Sequence, residues 1–311
     1  MCSHAFADAE EAQALLAKHK WAEAAIILRS SLRRDPRSAS ANADLAKALL
    51  YLGRREEALG VLGDAIELNK GKKRDWLIEQ NRVIARIFVK NSTFQTYQDG
   101  VDLLGVGKFR NAREKFEQAL AAETFNVEVL SRIGQSYLLD GDHDSAAERL
   151  KLARRLDPYD PEIQLWLGRA LQLRGEKTDA LSELREAAAH LKTSELAPLW
   201  LADALEASGE KSAAIQILEE DVRSNPMHVS SLINLAKYKV QIAGTDQKLL
   251  WSARKDFQNA LSRSADYAQP GRKRFESEMG VELPHTEKDL HDQIQSGLQK
   301  LESRLEADSN G

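Results

Sequence analysis

Alanine returns at a fixed interval along this chain. Ala24 and Ala58 are 34 residues apart, and Ala112, Ala146, Ala180 and Ala214 follow one another at the same spacing. Only the step from Ala58 to Ala112 differs, being one period plus 20 residues. A period of this length marks stacked supersecondary units, each burying its apolar face against its neighbours alone. The chain's 311 residues therefore read as an array of units, although size alone would allow two separate domains.

Four residues after each alanine comes Leu28, Leu62, Phe116, Leu150, Leu184 or Leu218. Three residues further on stands Ser31, Ala65, Ala119, Ala153 or Ala187, with Asp221 in the last unit. Steps of four and three keep all three residues on one helix face, where the small ones admit a neighbouring helix. Five residues before the alanine sits Gly53, Gly107, Gly141, Gly175 or Gly209, with His19 in the first unit. Glycine takes the left-handed conformation that ends a helix. Asp35-Pro36, Asp157-Pro158 and Asn225-Pro226 close units, because proline cannot extend the preceding helix. Each unit is thus helix, tight turn, helix, short loop.

The pattern resembles the tetratricopeptide repeat family. Residues 127–160 carry its signature through Leu130, Ile133-Gly134, Tyr137, Gly141, Ala146, Leu150, Ala153 and Pro158. Residues 161–194 carry it through Leu167-Gly168, Leu171, Gly175, Ala180, Leu184 and Ala187. Six units fall in register, at 5–38, 39–72, 93–126, 127–160, 161–194 and 195–228, and an altered seventh follows. The resemblance implies an all-α fold, a right-handed superhelical solenoid of antiparallel helix pairs. The expected divisions are two N-terminal repeats (1–72), an extra linking helix (73–92), four central repeats (93–228), an extended seventh repeat (229–265), and a connector with a C-terminal capping helix (266–311).

Three segments break the rhythm. In 73–92, Trp76, Ile84 or Val83, Ile87 and Phe88 fall near one helical face, so an extra helix is expected. It reads either as a spacer burying Trp76 and Phe88 or as an arm for a partner. In the seventh unit Ala253 comes 39 residues after Ala214, which lengthens the hairpin, with Trp251 packing at its end. In the tail, Leu290, Ile294, Leu298, Leu301 and Leu305 form an amphipathic stripe. The stripe reads as a cap on the array, as a surface for a partner or self-association, or as a loose tail. The connector before it reads as Pro- and Gly-punctuated, with a short helix.

In the resembled family the first helix of each unit lines a concave groove. Transferring the fifth positions of that helix gives Tyr97, Leu165, Leu199 and Ile233. The ninth positions give Lys47, Val101, Gln135, Arg169, Asp203 and Lys237, and the twelfth give Leu16, Leu50, Leu104 and Leu138. Trp166 and Trp200 occupy sixth positions and read as groove floor or as buried structure. Tyr97, Val101 and Leu104 read equally as cover for the extra helix. Apolar anchors of this kind suit a polypeptide segment. The basic clamp by which some family members hold a peptide carboxylate does not match, since Lys47, Arg169 and Lys237 are far apart in the sequence.

The remaining patterns point away from chemistry. The net charge of −4 offers no global basic field for a nucleic-acid backbone, and the runs Lys72-Lys73-Arg74 and Arg272-Lys273-Arg274 read as solvated surface or contacts for an acidic partner. "DLLGVGKFRNA" is no phosphate loop, because Gly107 is the repeat's own turn. No HExxH occurs, and His285 and His291 beside Glu287 and Asp289 are a poor metal set. No catalytic, cofactor or metal residues are expected. A single cysteine, Cys2, permits no internal disulfide, and no run is long enough to span a bilayer. The expected compartment is cytoplasmic, with a bacterial lipoprotein anchored through Cys2 as the alternative. The expected role is a non-catalytic scaffold that binds a polypeptide in its groove. The other reading is an accessory or regulatory subunit docking by its convex face or C-terminal helix.

Overall fold

The computed structural model describes residues 2–267 and 287–309, and these are helical with short connections. The helices fall into two compact units. The first contains α1 (Cys2–Ala17), α2 (Trp21–Arg34), α3 (Ala39–Tyr51), α4 (Arg55–Leu68), α5 (Lys72–Arg86), α6 (Asn91–Gly105), α7 (Phe109–Ala122), α8 (Val127–Leu139) and α9 (His143–Leu156). The second contains most of α10 (Pro161–Leu173), then α11 (Lys177–His190), α12 (Leu196–Ala207), α13 (Lys211–Ser224), α14 (Val229–Ile242), α15 (Gln247–Tyr267) and α16 (Glu287–Ser309). Each unit is an all-helical stack of antiparallel pairs, with no strand among the described residues.

The repeat turns share one backbone solution. The Asp142 amide donates back to the Tyr137 carbonyl at 3.0 Å across Gly141, whose φ is 87°. The same reach joins Arg54 to Leu49, Lys108 to Leu103, Glu176 to Leu171 and Glu210 to Leu205. This bond satisfies a carbonyl that the ended helix leaves without a partner. His19 takes the glycine's place at φ 57°, and its turn closes with the same bond from Lys20 to Leu15.

The alanines of the rhythm have no accessible surface, and the leucine or phenylalanine four residues on is buried in every unit. Burying each such leucine contributes about 2 kcal/mol. The first helix of a pair comes close to this residue. A Cβ on Gly134 would stand 2.5 Å from Leu150 Cγ, and one on Gly168 would stand 2.6 Å from Leu184 Cγ. At Gly100 the neighbour is the Phe116 ring, also at 2.5 Å. The small residue and the bulky one are a matched pair across each of these hairpins.

The extra helix differs from its sequence reading. It starts at Lys72 and stops at Arg86, because Ile87 is extended, and α6 begins at Asn91. Its buried face is Leu77, Asn81, Ile84 and Ala85, set against α3, α4 and α8. Asn81 donates to the Leu156 carbonyl at 3.3 Å, so an amide completes that face. Trp76, which the spacer reading buries, is 43% exposed, and Ile87 is 40% exposed. Phe88 is half-buried, with its ring 5.3 Å from Phe94 and 5.0 Å from Tyr97.

In the second unit α14 pairs with the 21-residue α15, and Ala253, Phe257 and Ala260 are buried between them. Trp251 does not pack at the hairpin's end as expected. It is 53% exposed, with the Arg254 guanidinium over its ring. Ile294, Leu298, Leu301 and Leu305 of α16 are buried in one cluster with Phe257 and the α14 residues Leu232 and Ile233. Gly297 lets α16 approach, since a Cβ there would stand 2.8 Å from the Phe257 ring. The connector with its expected short helix, His285, and the side chains of Cys2 and Leu290 lie outside the described residues.

Candidate functional site

The second unit gathers sequence-predicted residues from three successive first helices. Trp166 of α10 and Trp200 of α12 meet edge to face at 5.1 Å. Arg169, one turn on from Trp166, lies 5.5 Å from the Trp200 centroid and reaches Asp203 Oδ2 at 3.3 Å. It also donates to Gln172 at 2.7 Å. Tyr238 of α14 donates to the other oxygen of Asp203 at 2.5 Å. Burial and this carboxylate push the Tyr238 phenol well above its ordinary value, so it remains a donor at any physiological pH. Lys237 beside it is exposed, yet lost solvation lowers its ammonium pKa against the pull of Asp203. Cation, anion and cation thus follow one another as Arg169, Asp203 and Lys237, beside two ordered tryptophans.

In the first unit the corresponding face is a closed ion network. Tyr97 of α6 donates to Glu128 Oε1 at 2.7 Å. Arg132, one turn along α8, binds the same oxygen at 3.2 Å and donates to Gln135 at 2.9 Å. Burial, then Glu128, holds the Tyr97 phenol far above its usual range. Arg86, from the end of α5, pairs with Asp157 at 2.8 Å, with Asp160, and with Glu128 at 3.5 Å. Burial opposes the Arg86 charge, but Asp160, Asp157 and Glu128 outweigh it and the pKa rises. Asp157 has no accessible surface, and burial raises its carboxyl despite Arg86.

Most of the apolar rows inferred from the sequence face helix neighbours rather than open space. Leu16, Leu50, Leu104 and Leu138 are buried, Leu104 completely. Tyr97, Leu165, Leu199 and Ile233 are buried too, as are Gln135, Trp166 and Trp200. Lys47 and Lys237 are exposed, and Val101, Arg169 and Asp203 are intermediate. Solvent therefore meets the ninth row far more than the fifth or twelfth. The structure joins Trp166, Arg169, Trp200 and Asp203 directly, and links Tyr97 to Gln135 through Arg132. Sequence reasoning missed Tyr238, Glu128, Arg132 and Arg86. Glu128 and Arg132 stand at second and sixth positions of a first helix, so the register alone could have flagged them.

One polar cluster looks like chemistry and is structural. Asp221 stands where other units have a small residue, and it accepts from Ser231 at 2.6 Å while His228 Nδ1 lies 3.0 Å away. Asn225 donates to it as well. Serine and histidine both serve the same carboxylate, which ties α13 to α14 in place of a relay. Among the described residues, no group of three or more His, Cys, Asp or Glu side chains is placed to hold a metal ion.

The sequence matches the tetratricopeptide repeat family model over residues 10–72, 97–161 and 141–195, together more than half of the chain. The chain is a tetratricopeptide repeat protein. No curated protein is similar enough to match it. Similar solved structures include MamA, 24% identical over 59% of this chain and 99% of that one, with a TM-score of 0.47. Yeast Tom70 is 15% identical, with a TM-score of 0.50, over 92% of this chain and 59% of that one. YrrB, described as a TPR protein with an unusual peptide-binding site, is 18% identical over 66% of this chain and 95% of that one, with a TM-score of 0.39. At such identities the Tom70 likeness shows the repeat fold alone. As a member of this family the tetratricopeptide repeat chain is a non-catalytic scaffold for protein or peptide binding. No helix among its described residues is long and apolar enough to cross a membrane.

Proposed function

We propose that the chain holds a polypeptide segment along the first helices of its second unit, α10, α12 and α14. The observation that supports this is the solvent-facing row Arg169, Asp203 and Lys237, alternating in charge, with Arg169 and Asp203 held by Trp200 and Tyr238. Side chains already ordered in the free protein lose little entropy on binding. The alternating charges set the register of the segment, and the buried tryptophan pair holds Arg169 in place beneath it. Lys47 and Val101 hold the same position on the first unit's helices α3 and α6. This reading gives the fully buried Leu104 a packing role and moves recognition from apolar anchors to the ninth row.

Docking through the C-terminal helix draws less support, because the α16 stripe is spent on α14 and α15. The test is the affinity of a partner recovered with the wild-type chain, measured again with Lys237→Glu and Arg169→Ala. Each variant, folded by circular dichroism, weakens binding about 10-fold, or about 1.4 kcal/mol. Unchanged affinity in both would sink the inner-face reading.

A further inference from the structure

Helix α5 has a second apolar stripe, on the side away from its buried face. Trp76, Val83 and Ile87 are 43%, 45% and 40% exposed. At about 100° per residue they lie within about 40° of one another and extend ~16 Å along the helix. Gln80 continues the line between Trp76 and Val83. The buried residues Leu77, Ile84 and Ala85 face α3, α4 and α8, so packing inside the fold does not explain this stripe.

The charge at one end of the stripe is equally unexplained by folding. Lys70, Lys72 and Lys73 are all exposed and surround the N-terminus of α5. The helix dipole already makes that end positive, so lysines there oppose folding. Gly71, the N-cap, offers no side chain to offset it, and Asp75 is the one carboxylate in the first turn against three lysines. An apolar line leading into an end where three lysines outnumber one carboxylate fits a ligand with apolar residues at helical spacing and carboxylates at one end.

We propose that the stripe is a docking surface for an amphipathic helix of a partner protein, whose acidic residues lie over Lys70, Lys72 and Lys73. A second copy of the chain is a poor occupant. Antiparallel pairing of two α5 stripes sets Lys72 and Lys73 toward the partner's exposed Lys90, and parallel pairing sets them toward each other. An anionic lipid surface fits poorly as well, because it would lie over the exposed carboxylates of Asp75 and Glu79 beside the stripe, which a helix with its glutamates confined to the lysine end avoids. The surface is independent of the ninth row in the second unit.

The test uses the full chain and a fluorescein-labelled 18-residue synthetic helix with leucines at i, i+3 and i+7 and glutamates at one end. A second peptide carries lysines in place of the glutamates. By fluorescence anisotropy the acidic peptide binds at least about 10-fold more tightly than the basic one. The exposed-site variant Trp76→Ser/Val83→Ser, checked for an unchanged melting temperature, weakens it by a similar factor. Lys70→Glu/Lys72→Glu/Lys73→Glu reverses the preference, while Lys248→Glu, exposed on α15, leaves it intact. Equal binding of the two peptides, or full affinity in the Trp76/Val83 variant, overturns the proposal. So does binding to phosphatidylserine vesicles that this variant abolishes, which would give the stripe to lipid. A dimer in sedimentation that the same variant dissolves would give the stripe to a second copy, and overturns the proposal too.

Discussion

Asp157 shows how one buried carboxylate carries opposing demands. It accepts from Arg86 at 2.8 Å, yet its other oxygen has no hydrogen-bond partner and burial raises its pKa. A carboxyl raised in the folded state contributes stability below its unfolded value, and loses it as pH rises through its folded value. The stability advantage of wild type over Asp157→Asn therefore shrinks as pH rises from the ordinary carboxylate range upward. Urea unfolding of both proteins between about pH 3.5 and 6.5 checks the sign, and an advantage that grows over that window contradicts it. At this scale the sequence revealed only part of the site. The alanines and their bulky partners were legible because burial enforces a period on them. Trp76 read either as buried in a spacer or as part of an arm, and it is exposed, whereas Asn81 completes the buried face by bonding the Leu156 carbonyl. The twelfth-row leucines looked like anchors because nothing in a sequence says which neighbour covers a helix face.

Elements in the first unit are tied together at one buried ion pair. Arg55 opens α4 and pairs with Glu123, the C-cap of α7, at 2.9 Å, with both side chains almost wholly inaccessible. Arg55 also donates to the Ile87 carbonyl at 2.6 Å, and Glu123 accepts from the amides of Val89 and Lys90. The pair thus fixes the link between α5 and α6 against two helices of different repeats. Removing one partner strands the other's charge, so Glu123→Ala costs about 3–5 kcal/mol, read as a fall in the urea midpoint. A loss below about 1 kcal/mol would mean the link is held by packing instead. Helix boundaries at the repeat turns were readable from the turn glycines, since a positive φ favours that residue. The early end of α5 and the Arg55–Glu123 joint were not, because the partners are 68 positions apart and no local pattern marks them.

For the whole molecule, the 34-residue rhythm determines the all-helical fold. The extra α5 presents an unspent apolar stripe. The extended seventh pair receives α16, which buries its own stripe there. Between these in the chain comes a row of ordered charges on α10, α12 and α14, and the central claim is that this row holds the polypeptide. Hydrogen–deuterium exchange of the chain with and without its recovered partner tests it most directly. Binding slows exchange in α10, α12 and α14 around Arg169, Asp203 and Lys237, and leaves α11 and α13 unchanged. Protection confined to α11, α13 or α16 would contradict the account.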